Sequence, residues 1–133
     1  MNQENPLSKL VASNAREVDR QKLADLLEPY VLFDEISHEM SFKDKFNELQ
    51  NNADKLEIIF LADKARSLIF DEKDKQEGLS QGNLIIMEVM PKGSIKSTLK
   101  TLFDKRKVLK NAKGKYYIPN YRLNELFLKF KKN

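Results

Sequence analysis

The chain has no cysteine among its 133 residues, which excludes disulfides, thiol catalysis and any zinc or iron–sulfur site held by cysteine. That absence is compatible with a reducing cytosol. There is one histidine, His38, in an acidic stretch with Glu35 and Glu39. A lone histidine with no nucleophile partner reads as a surface side chain rather than a metal ligand or a base. Only four glycines are present, and they form no phosphate-cradling loop. Carboxylates are plentiful but scattered, so no acid–base pair can be named. The sequence therefore reads as non-enzymatic, with no cofactor and no metal. No apolar run approaches the roughly 20 residues of a membrane span. The first residues, Met1 to Pro6, lack the basic and apolar regions of a secretion signal. The expectation is a cytoplasmic protein without a membrane partner.

What is present is charge, unevenly divided. Residues 92–133 hold 13 Lys+Arg against two acids, Asp104 and Glu125, a net of +11. Residues 1–91 hold 11 basic and 18 acidic residues, a net of −7, so the overall +4 conceals the split. Such a division suggests a basic surface facing a polyanion and an acidic body that does not. With 41% hydrophobic and 33% charged residues, the composition is that of an ordinary globular chain. Its length suits one domain, or a small domain with a helical extension.

Residues 1–15 are polar, with scattered apolar positions, and read as a loosely held lead-in. From Glu17 the pattern becomes helical: Leu23, Leu26, Leu27, Tyr30 and Val31 recur at three- and four-residue intervals, and Pro29 suggests a stop or kink near the end. A second helix is expected from Asp34, as N-cap, through Ile36, Met40, Phe42, Phe46 and Leu49, broken at Asn51-Asn52. Residues 16–51 thus read as an acidic helical extension. Residues 54–70 give the strongest helical pattern: Leu56, Ile59, Phe60, Asp63, Ala65, Leu68 and Ile69 combine good formers with one broad apolar face. This helix should be central. A charged loop covers residues 71–78, and residues 80–90, with Leu84, Ile85, Ile86, Met87, Val89 and Met90, fit either a short helix or a buried strand. Pro91 and Gly93 mark a tight turn before a helix over 94–106 that buries Ile95, Leu99, Leu102 and Phe103. Residues 108–110 and 115–118 read as strands around a loop with Gly114 late in the turn, and a last helix, about 121–131, carries Leu123, Leu126, Phe127 and Phe130 on one face.

Helix, turn, helix and basic hairpin, in that order, resemble a winged helix-turn-helix domain. The residues that carry the resemblance are Met90-Pro91-Lys92-Gly93-Ser94-Ile95-Lys96-Ser97-Thr98-Leu99-Lys100-Thr101-Leu102, similar to that family's turn and recognition helix, and residues 107–121, similar to its strand, wing and aromatic-rich return strand. It extends over about 52–130, with 54–70 as the first helix and 80–90 as the second, more hydrophobic than the family usually shows. The fold class implied is mainly α with a small β-hairpin wing: two N-terminal helices, then a winged helix-turn-helix domain over 52–133 that includes the C-terminal helix.

The resemblance implies a recognition helix in the DNA major groove and a wing on the adjacent backbone or minor groove. Its implied contacts are Lys92, Ser94, Lys96, Ser97 and Lys100 on the helix, and Lys110, Lys113 and Lys115 on the wing. Each lysine alone reads equally well as solvated surface charge; the cluster favours a polyanion. The helix carries no arginine, whose fork to guanine is the commonest specific base contact, so modest base specificity is expected. The implied function is a sequence-tolerant or modestly specific double-stranded DNA-binding protein, a small transcriptional regulator or DNA accessory factor. The alternative is a non-enzymatic protein–protein adaptor built on the same domain. A homodimer through the N-terminal or C-terminal helices would present two half-sites about one helical turn apart. Tyr116, Tyr117 and Tyr121 read as core residues in preference to base-stacking platforms.

Overall fold

The computed structural model describes Leu7 and residues 18–70 and 77–131. Most of the expected lead-in, and residues 71–76 of the expected charged loop, lie outside them. The first helix, α1 (Arg20–Leu27), starts where the Asp19 carboxylate accepts the Lys22 N–H at 3.0 Å, and it buries Leu23, Leu26 and Leu27.

The helix expected from Asp34 to Leu49 is not there. Strands β1 (Val31–Phe33) and β2 (Met40–Phe42) form an antiparallel hairpin instead, with Val31 opposite Phe42 and Phe33 opposite Met40. Asp34 does cap, accepting the Ile36 and Ser37 N–H groups at 2.9 and 2.7 Å, and these bonds hold its carboxyl below the ordinary range. The capped turn then closes instead of propagating: His38 takes a left-handed φ of 64°, and the Asp34 N–H donates to the Glu39 carbonyl. Ile36, assigned to a buried helix face, sits at the hairpin tip, 88% exposed. Only Phe46 of the expected helix is buried in helical conformation, in the short α2 (Asp44–Asn47), where it stacks on Phe42.

Asn51, expected to break a helix, starts one: its side-chain oxygen accepts the Ala53 N–H at 2.7 Å at the head of α3 (Asn52–Phe70). Every residue of α3 from Leu56 to Ala65 is buried, as befits a helix surrounded on all sides. The stretch that fitted helix or strand resolves as α4 (Gln81–Ile86), where Ser80 and Asn83 exchange hydrogen bonds in a capping box. The chain turns over residues 87–90, with Glu88 at φ 54°, and α5 (Lys92–Asp104) begins directly after Pro91. The turn therefore precedes the expected Pro91–Gly93 site, and Gly93 lies in the first helical turn. Ile95, Leu99 and Leu102 are buried as expected, but Phe103 is 38% exposed.

Strands β3 (Leu109–Lys110) and β4 (Tyr116–Tyr117) pair in antiparallel register, Leu109 with Tyr117 and Lys110 with Tyr116. Across the other edge of β4, Leu79 forms a single antiparallel bridge to Tyr116. A 3-10 turn (Asn120–Arg122) leads into α6 (Leu123–Lys129), which buries Leu123 and Leu126. The molecule is thus mainly helical with small two-stranded hairpins. One core cluster takes in Leu23 of α1, the whole middle of α3, Leu84, Ile95, Ile118 and Leu126.

Candidate nucleic-acid interface

The face of α5 opposite its core residues is set by helical spacing. Ile95, Leu99 and Leu102 point inward, leaving Lys92, Lys96, Ser97 and Lys100 exposed and Ser94 half-buried. The two serines are partly engaged by their own helix, Ser97 Oγ donating to the Ser94 carbonyl at 3.3 Å while the Ser97 carbonyl accepts Thr101 Oγ1 at 3.0 Å. Lys100 reaches along the surface to Asp104 at 2.8 Å, and that bond raises its pKa above the ordinary lysine value. Lys92 and Lys96 have no acidic partner among the described residues.

The C-terminus of α5 carries further cationic groups. The Arg106 N–H donates to the Phe103 carbonyl at 3.0 Å and the Lys107 N–H to the Leu102 carbonyl at 2.8 Å, a Schellman motif with Arg106 at φ 61° in the position that favours glycine. An exposed arginine is held there in a conformation costing of order 1 kcal/mol. The basic Lys105-Arg106-Lys107 run was visible in the sequence, but its helix-terminal geometry was not.

The β3–β4 hairpin is organised by Asn111. Its side-chain oxygen accepts the Lys113 and Lys115 N–H groups at 2.9 and 3.0 Å, its backbone pairs with Lys115 and Gly114, and Gly114 takes a φ of 76°. Lys113 and Lys115 are exposed at the loop. Lys110 is placed differently: its ammonium lies 5.0 Å from the Tyr116 ring centroid and 5.4 Å from that of Phe103, and the two rings meet edge to face. Tyr116 itself packs against the core.

The hairpin is tied to the body from the other side. Leu79 and Tyr116 exchange backbone hydrogen bonds of 2.9 and 2.8 Å. Gly78, at φ 149°, passes so close that an added Cβ would lie 2.9 Å from Asn111 Nδ2 and from Lys115 Cβ. The Gly78 N–H also donates to the buried Asp63 carboxylate at 2.7 Å, fixing this approach to α3.

Not every basic residue of the C-terminal third faces outward. Arg122 is 5% exposed; it donates to the Lys107 carbonyl at 2.8 Å, and lies 3.0 Å from the Glu57 carboxylate and 3.1 Å from Glu125. Burial opposes its charge, but these carboxylates outweigh burial and raise its pKa, while the Arg122 hydrogen bond lowers that of Glu125. Lys129 bridges Asp54 at 2.8 Å and Glu57 at 2.5 Å. Two charges counted toward the basic third therefore neutralise acids of α3. Deeper still, Lys64 lies between both oxygens of Glu77, at 3.0 and 2.9 Å, and Asn120 Oδ1 at 2.5 Å. Burial pushes the Glu77 carboxyl up to about 7, with Lys64 pulling against it.

No helix of the described residues is long and apolar enough to cross a membrane. No protein-family model matches the chain, and no curated protein or solved structure matches it.

Proposed function

We propose that residues 52–130 are a winged helix-turn-helix unit that binds double-stranded DNA, in the service of a small regulator or accessory factor. In this reading α4 and α5 are the helix-turn-helix, α5 enters the major groove, and the β3–β4 hairpin is the wing on the neighbouring backbone. The observation that carries it is the Leu79–Tyr116 bridge, which ties the segment between α3 and α4 to the return strand of the hairpin, beside a lysine-bearing helix face. Lys92, Lys96 and Lys100, with Ser94 and Ser97, are the proposed contacts on α5. Lys113 and Lys115 are those of the wing tip, with Lys110 at its base. The lysines contact phosphates more than bases, so recognition is sequence-tolerant.

The test is fluorescence anisotropy of a mixed-sequence duplex across a salt series. Five phosphate contacts, one for each lysine other than Lys110, give a log–log salt slope of about −4.5, and Lys96→Glu/Lys100→Glu should flatten it by about 2. No binding at low salt sinks the reading. A second reading, a protein-binding adaptor, is favoured by Leu32 and Ile36, which the β1–β2 hairpin exposes. An adaptor would tolerate the lysine reversals.

A further inference from the structure

A cleft of about 550 Å³ opens between the tip of the β1–β2 hairpin, the end of α3, α4 and the β3–β4 loop, a size typical of small-molecule sites. Its surface is divided by chemistry. Met40, Phe70, Ile86 and Met87 supply apolar area, while Arg66, Lys113 and Lys115 supply positive charge. Two acids also border it. Asp63 is already engaged by Arg66 and by the Gly78 N–H, and Glu39 lies exposed on the hairpin. Lys113 and Lys115 have no acidic partner among the described residues.

One wall of the cleft is a built aromatic stack. His38 lies flat on Phe70, ring centroids 3.7 Å apart and planes 11° from parallel, and the Phe33 and Phe70 rings meet edge to face. His38 is held there by the Asp34-capped turn in a left-handed conformation that a non-glycine residue rarely adopts. Strain of this kind concentrates where a side chain must be presented.

We propose that this cleft binds a small organic anion with a flat apolar body, an aromatic carboxylate or sulfonate, its ring against the His38–Phe70 stack, Ile86 and Met87 and its acid group on Lys113 and Lys115. The same two lysines are the proposed wing contacts, so, resting on the DNA-binding reading, ligand and duplex compete for them. Each weakens the other's binding by the same factor.

The full chain is titrated with 8-anilinonaphthalene-1-sulfonate as the probe, with far-UV circular dichroism to verify an unchanged fold. Fluorescence should saturate at one probe per chain, and the ring-proton NMR signals of His38, the single histidine, should shift in step. Lys113→Glu/Lys115→Glu should weaken binding about tenfold. Ile86→Glu, at a position 78% exposed and therefore tolerant of change, should weaken it as well. Absence of saturable binding, or binding that leaves His38 unmoved and both variants unaffected, overturns the proposal. Added duplex should release the probe; a duplex that binds without displacing it overturns the shared-lysine assignment. A duplex that never binds refutes the DNA reading, and the probe titration and His38 shifts still decide the cleft.

Discussion

Replacing Glu57 by glutamine should destabilise the protein more than any exposed charge change, and the size of the effect follows from its surroundings. The Glu57 side chain is 1% exposed and faces two cations, Arg122 Nη1 at 3.0 Å and Lys129 Nζ at 2.5 Å. Removing one member of a buried pair typically costs about 3–5 kcal/mol because the partner is left charged and undersolvated. Here the loss is partly absorbed. Arg122 keeps Glu125 and the Lys107 carbonyl, and Lys129 keeps Asp54 and has a side chain 40% open to water. A value of about 2–3 kcal/mol is therefore expected, which at this chain length lowers the melting temperature by about 7–11 °C. Urea unfolding followed by circular dichroism measures it. Glu125→Gln, at the exposed end of the same arginine, should cost under about 1 kcal/mol. Glu57→Gln/Arg122→Met should recover part of the loss, because it also removes the buried cation that has lost one of its two carboxylates. A Glu57→Gln protein within about 0.5 kcal/mol of wild type, or a double variant showing no recovery, would refute the assignment of Arg122 to the interior network.

Gly78→Ala should push the β3–β4 hairpin off its support: a loss of about 1–3 kcal/mol is expected, with faster amide exchange at Leu79 and Tyr116 than in wild type. Glu77 makes stability depend on pH in the direction opposite to most carboxylates. Because its folded-state pKa is raised to about 7 from an ordinary 4.5, the folded chain binds its proton more tightly. Its contribution is fully present below about pH 4.5 and lost as pH rises through about 7. Glu77→Gln should flatten that part of the stability profile in denaturant titrations between pH 4.5 and 7.5. An unchanged difference between the two proteins across that window would refute the assignment.

The parts legible in the sequence were those decided locally. Residues 54–70 and 94–106 carry enough consecutive apolar spacing to specify helices, each within two residues of the observed Asn52–Phe70 and Lys92–Asp104, and Asn111 with Gly114 specifies a tight loop without reference to anything distant. The β1–β2 hairpin was illegible because Ile36 and Met40, then Phe42 and Phe46, happen to lie four apart, while the alternation in each strand lasts only three residues. The lysines of α5 were correctly assigned to its outer face, since helical spacing determines that. The placement of Arg122 and Lys129 was not readable, because it depends on Glu57 and Asp54 in another helix. Equally hidden were the stacking of Lys110 on Phe103 and Tyr116 and the role of Gly78, which rests on a backbone approach between remote segments.

The bridge at Leu79 bears on how this unit can be divided or moved. Strands of two residues each do not hold together alone in water, and here the support comes from a segment that precedes both of the neighbouring helices α4 and α5. A fragment beginning at Lys92 would retain the basic residues of α5 and of the hairpin loop, yet lose the scaffold that arranges the loop lysines. Because the Gly78 N–H beside that bridge is held by Asp63 of α3, the smallest transplantable piece must start ahead of α3, so the central helix and the basic hairpin are inherited, grafted or lost together.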